Sequence, residues 1–159
     1  MEVNSHIIKV CLMKYYRFKR QFLCVDEIGY EPADVLVDTG KAIIEIEIKI
    51  SKQDLWKGEE RKRKHKIEDS KRGCNQFYLC VPTELVEEGA KWIKETNQKY
   101  GLIEFKTELL QNGYNGNSNY LRSLVRAVPL NNNYKKDLNG RLSMRLYSAL
   151  INSYENLIK

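Results

Sequence analysis

The chain has few soft or borderline metal-binding side chains: four cysteines, Cys11, Cys24, Cys74 and Cys80, with no Cys-x-x-Cys pair, and two histidines, His6 and His65, in 159 residues. That spacing excludes a Cys/His zinc site and leaves the cysteines as reduced, buried thiols. Apolar runs are short, and none approaches the about 20 residues of a membrane span. The opening MEVNSHIIKV carries Glu2 early and too short an apolar core for a secretory signal, so a cytoplasmic, intracellular protein with no membrane partner is expected. Internal repeats and low-complexity tails are lacking as well.

What is present is a core and a charge. At 42% hydrophobic residues the chain can bury one proper core, which predicts a single domain over 1–159. A net charge of +6 favours an anionic partner such as nucleic acid, though an ordinary basic protein fits it too.

Hydrophobic periodicity orders the elements. Ile7, Ile8, Cys11, Leu12, Tyr15 and Tyr16 recur at three- and four-residue steps, which predicts an amphipathic helix over 4–20. Strands follow over 22–28 and 34–37, the second stopped by Asp38-Thr39-Gly40, and then AIIEIEIKIS over 42–51. Short turns between the three predict an antiparallel meander. In the third, Ile44, Ile46, Ile48 and Ile50 share one face and Glu45, Glu47 and Lys49 the other, with the charged face expected to be partly buried and open to a cleft. Ser51-Lys52-Gln53-Asp54 has the form of a capping box, so a helix is expected where that strand ends. The highly charged 55–73 segment follows, then a strand over 76–81, a helix over 83–100 stopped by Gly101, and a fifth strand over 102–105. Residues 111–119 and 131–140 read as loops, 120–130 is ambiguous, and 141–158 predicts a closing helix.

Two neighbouring strands can bring Asp34, at the start of one, close to Glu47 on the next. Paired carboxylates offer hard oxygen donors suited to Mg²⁺ or Mn²⁺. Lys49, on the same face as Glu47, can orient an attacking water or stabilise developing charge on a phosphoryl group. Glu45 can join or support such a site. By themselves these residues are equally an exposed strand face; their positions, an acid opening one strand and Glu-x-Lys closing the next before a capped helix, favour the site.

On Pro32-Ala33-Asp34 and Glu47-Ile48-Lys49 the chain resembles the PD-(D/E)xK, or restriction-endonuclease-like, nucleases. The run from Lys49 through Ser51 and Asp54 to Leu55, then Lys64-His65-Lys66 and the strand Phe77 to Pro82, is similar to their DNA-repair-associated MmcB-like branch. The resemblance covers a core of about 1–106; a C-terminal extension of about 107–159, expected to be helical, matches no motif. It implies an α/β fold with a mixed sheet of about five strands flanked by helices in αβββαβ order. It also implies a Mg²⁺-dependent (or Mn²⁺-dependent) DNA endonuclease with Asp34, Glu47 and Lys49 catalytic. Asp34, Glu47 and the Ile48 carbonyl would hold the metal, and Glu45, Ser51 and Asp54 would support the site. The 58–72 segment is more charged than the core helix of that fold.

DNA contact is expected at Arg61, Lys62, Arg63, Lys64 and His65, beside the alternative of a solvated helix face diluted by Glu59 and Glu60. His65 itself reads first as an exposed helix residue. Trp56, Tyr15 and Tyr16 read as packing residues. Three function classes follow: a metal-dependent deoxyribonuclease, a non-catalytic nucleic-acid-binding module on the same fold, and a small interaction protein. Cutting both strands of a duplex calls for two active sites, with which a homodimer is compatible.

Overall fold

The computed structural model of the chain describes residues 2–26, 33–59, 62–134 and 146. Helix α1 spans Ser5–Lys14 and ends in a π-helical turn, Tyr15–Lys19. Its N-cap is Asn4, whose Oδ1 accepts from the Ile7 N–H at 2.9 Å and satisfies one of the first-turn donors. Strands β1 (Leu23–Val25), β2 (Val35–Asp38) and β3 (Ile43–Ile48) then form the expected antiparallel meander. Gly40, at φ +81°, makes the tight β2–β3 turn, with its N–H on Asp38 Oδ1 at 2.7 Å.

The chain then crosses over to β4 (Gln76–Pro82), parallel to β3, and again through α2 (Val86–Thr96) to β5 (Gly101–Phe105), parallel to β4. A sixth strand, β6 (Leu121–Val125), pairs antiparallel with β5. The result is a mixed, open six-stranded sheet in sequential order. The ambiguous segment 120–130 thus supplies a strand, one more than expected, and in the extension expected to be helical a 3₁₀ turn, Thr107–Leu110, precedes β6. The closing helix expected at 141–158 lies outside the described residues, apart from the single position 146.

Both faces of the sheet are covered except at β6, which is largely exposed. Ile44, Ile46 and Ile48 pack with Val35, Val37, Tyr78, Cys80 and Phe105 against Ile8, Cys11 and Leu12 of α1. On the other face Phe77, Leu79, Val81 and Leu102 pack against Trp92 and Ile93 of α2, with Leu55 and Tyr100. Period-2 alternation decides this division: every second residue of a strand meets the same layer. Ile50, beyond the end of β3, is 40% exposed and falls outside the isoleucine stripe. All four cysteines are free and buried, as expected.

Two boundaries differ from the sequence reading. Gly101 does not stop a helix: α2 ends at Thr96, and Gly101 opens β5, where a Cβ would sit 2.3 Å from the Tyr78 ring. Its missing side chain serves close packing of β5 on β4. The charged 55–73 segment forms no continuous helix; a π-helical turn (Asp54–Gly58) gives way to two 3₁₀ turns, Arg63–His65 and Asp69–Lys71. With so few apolar residues, the segment has no stripe to hold a helix against the sheet. Its start follows the capping box: the Asp54 N–H donates to Ser51 Oγ at 3.2 Å. Among the described residues no helix is long and apolar enough to cross a membrane.

Candidate functional site

The candidate residues meet where β3 ends. Asp34 lies just before β2, and its Oδ2 accepts from the Ile48 N–H at 2.7 Å, so this carboxylate crosses to the backbone between Glu47 and Lys49. Register explains the approach: Val35 is opposite Ile46, and one step further along the ladder brings Asp34 to the end of β3.

Glu45 and Glu47 project from the α2 face of the sheet, beside Phe77 and Leu79 of β4. Among the described residues this face is closed more tightly than expected, with Asp34 and Glu45 half-buried. Glu47 is 1% exposed and Lys49 6%, because the turns that follow the third strand fold back over this end. Buried charge demands partners, and these are supplied by the same turns. Lys62 Nζ lies 2.7 Å from Glu47 Oε2, and Lys64 Nζ bonds Glu47 Oε1 as well as Glu45 Oε1, the latter at 2.5 Å. Lys49 Nζ lies 2.9 Å from Glu59 Oε1 and 3.3 Å from Asp54 Oδ2. The fully buried Glu59 also pairs with Lys62 at 2.6 Å.

His65 is the largest departure from expectation among these residues. Its ring is buried rather than exposed, packed edge-on against Phe77 and Trp92. Nε2 meets Glu59 Oε2 at 2.8 Å and Nδ1 meets the Tyr100 hydroxyl at 2.9 Å, which in turn accepts from Arg72 Nη1 at 2.5 Å. With Tyr100 donating to Nδ1, the network assigns the proton to Nε2, where a neutral ring donates to Glu59. Of the residues expected to contact DNA, Lys62, Lys64 and His65 thus turn inward to carboxylates, Arg63 is exposed, and Arg61 lies outside the described residues. Trp56 is half-buried and donates from Nε1 to Glu88 at 3.0 Å.

The ionisation of the cluster follows from burial set against charge. Burial pushes the Glu47 carboxyl up to about 7, against the pull of Lys64 and Lys62. Burial raises Glu59 too, but the His65 hydrogen bond together with Lys49 and Lys62 holds its carboxyl well below the usual carboxylate range. For Lys49 burial acts downward and Glu59 outweighs it, so the ammonium is held above its ordinary value. Burial likewise lowers the His65 ring below 6.5, more than Glu59 restores.

Glu59, which in the sequence only dilutes a basic run, is the residue sequence reasoning missed. It lies ten positions after Lys49 with no pattern linking the two, and only the fold-back of the chain joins them. Gly58 beside it has a steric role: a Cβ there would meet Asp54 Oδ1 at 2.5 Å, so glycine lets Asp54 lie over Lys49. An open pocket lined by Ser51, Gln53, Asp54, Lys57 and Gly58 gives solvent a way to this edge of the cluster.

The donor chemistry suits a hard divalent cation. Mg²⁺ is held by one or two carboxylates with waters and substrate phosphate completing its shell, and Asp34, Glu47 and the Ile48 carbonyl are of that kind. Among the described residues no three His, Cys, Asp or Glu side chains gather as a ready-made metal site. Both Glu47 oxygens carry ammonium groups instead. No family model, curated protein or solved structure matches the chain.

Proposed function

We propose that the chain is a restriction-endonuclease-like, metal-dependent DNA endonuclease of the PD-(D/E)xK kind. The observation that carries the reading is the 2.7 Å bond from the Ile48 N–H to Asp34, which joins the acid at the start of β2 to Glu47-Ile48-Lys49. A helix, three antiparallel strands, a crossover, a parallel strand, a helix and a further parallel strand support it at the level of element order. Under this reading Asp34, Glu47 and the Ile48 carbonyl hold Mg²⁺ or Mn²⁺. The ion supplies a Lewis acid for the scissile phosphate and a water of lowered pKa.

The chain's own residues do the rest. Lys49, fixed by Glu59 and Asp54 and held protonated, places a positive charge beside the reacting phosphoryl oxygens and orients the incoming water. Asp34 stays aligned because one of its oxygens is already tied to the β3 backbone. Ser51 sets the turn that carries Asp54. Exposed Lys57, Arg63 and Lys66 lie on the segment that frames the site and offer charge to a DNA backbone. A cytoplasmic location and a homodimer for two-strand cutting go with this reading.

The ammonium groups on Glu47 favour a second reading, a non-catalytic nucleic-acid-binding module whose acidic site is closed by internal ion pairs. Incubation with branched, nicked, single-stranded and duplex DNA separates the two. The nuclease reading expects cleavage with Mg²⁺ or Mn²⁺ that Asp34→Asn and Glu47→Gln abolish. Wild-type protein inert on every substrate with both metals, yet binding DNA with a steep salt dependence, favours the module.

A further inference from the structure

We propose that Lys62 and Lys64 are a resident counter-ion pair that exchanges for the divalent cation: without metal they neutralise Glu47 and Glu45, and on metal entry they swing out to take backbone phosphates of the substrate. The inference rests on the nuclease reading above and adds to it the regulation of its site.

Charge conservation is the first argument. Two ammonium groups and one divalent ion carry the same charge, so the exchange leaves the electrostatic balance around the nearly inaccessible Glu47 unchanged. Removing the lysines without a replacement would strand a buried carboxylate, which is strongly unfavourable. The metal-free and metal-bound states are thus each neutralised, while intermediates between them are not.

The second argument is mechanical. The turn Arg63–His65 is pinned at its backbone and at His65: Arg72 Nη1 donates to the Lys64 carbonyl at 2.7 Å, and the His65 ring is held by Glu59 and Tyr100. The lysine heads, by contrast, sit at the ends of four-carbon stems, so they can leave Glu47 by side-chain rotation alone. Their side chains are 24% and 11% exposed, so both already reach solvent. When Lys62 leaves, Glu59 keeps Lys49 and His65, and the group that positions Lys49 is not stranded.

The third argument concerns the substrate. A phosphodiester approaching the metal brings negative charge to the mouth of the cluster, and two released ammonium groups are there to meet it. Metal and DNA binding become coupled, each strengthening the other by the same factor.

The test uses the full chain and Mn²⁺ by calorimetry, without DNA. Lys62→Met/Lys64→Met should bind Mn²⁺ about tenfold more tightly than wild type, since the internal competitor is gone. In wild type, Mn²⁺ should raise the reductive methylation rate of Lys62 and Lys64 relative to exposed Lys66 and Lys71; this arm decides the matter if the double variant does not fold. With Ca²⁺ present, the slope of log DNA affinity against log salt should be shallower by about 2 in the variant, and the same as wild type when no divalent ion is added. Mn²⁺ bound through Glu47 with equal affinity in both proteins, or lysine reactivity unmoved by Mn²⁺, overturns the exchange and leaves the nuclease reading standing. Wild-type protein with no Glu47-dependent Mn²⁺ binding sinks both.

Discussion

The two faces of one strand, β3, solve burial in opposite ways. Toward α1, Ile44, Ile46 and Ile48 pack into a hydrophobic cluster that asks for no charge partner, and any side chain of similar shape would serve. Toward α2, Glu45 and Glu47 are almost as inaccessible, yet each needs named cations at hydrogen-bond distance. The first face draws its stability from area removed from water. The second gains little net stability, because desolvating charges costs roughly what their pairing returns. Under the nuclease reading that face serves chemistry rather than stability, and the difference can be tested residue by residue.

The largest effect should come from stranding a charge. Lys62→Met/Lys64→Met leaves the Glu47 carboxylate buried without a cation and should cost about 3–5 kcal/mol in urea unfolding, whereas adding Glu47→Met should recover most of that loss. On the apolar face Ile46→Ala should cost about 2–5 kcal/mol, and no second change that deletes a charge should restore it. If the triple variant Glu47→Met/Lys62→Met/Lys64→Met is no more stable than Lys62→Met/Lys64→Met, burial costs Glu47 nothing without its lysines and the contrast fails.

Under the nuclease reading, Lys49→Ala should slow hydrolysis about a hundredfold or more while Mn²⁺ and DNA still bind, the loss expected on deleting one preorganised charge. Loss of Mn²⁺ binding in calorimetry would instead assign Lys49 a structural part in the ionic face.

The pH response should distinguish the members of that face. His65 is depressed below 6.5, so the unfolded chain takes up its proton first and stability from this group is lost as pH falls from 6.5 toward its folded value. Glu47, raised from 4.5 to about 7, acts in the opposite sense: the folded chain binds the proton first, and stability grows as pH falls from 7 to 4.5. In His65→Gln only the second trend remains between pH 7 and 5, and its urea midpoint should rise on acidification more than that of wild type. Parallel midpoints in the two proteins would show that His65 titrates alike folded and unfolded.

The smallest effect belongs to Gly58→Ala. The new Cβ displaces only the tip of Asp54, so unfolding free energy should change by within about 1 kcal/mol, while Lys49 loses one of its two carboxylate partners. A several-fold drop in hydrolysis with near-normal stability is the expected outcome, and unchanged hydrolysis would remove Asp54 from the support of Lys49.

Much of this architecture was legible because local rules decide it. Alternation in AIIEIEIKIS assigned each residue its face, the three turn-linked strands gave the meander, and Ser51 capped the next turn as its spacing predicts. Asp34 meets the end of β3 because adjacent antiparallel strands leave it little choice. The boundary at Gly101 misled because glycine serves both helix ends and close strand packing, and the Tyr78 ring that decides between them comes from another strand.

What the sequence determined, then, was which residues share a face and which stand near one another along a hairpin, since period and turn length act over a few residues. Only the tertiary structure decided that the charged face would be closed, that Lys62 and Lys64 would point inward, and that Glu59, itself bonded to His65, would pair with Lys49. A run of charged residues has no period that says which way it faces. Its direction is set by whichever arrangement leaves no buried charge alone, and that depends on carboxylates brought together by the fold.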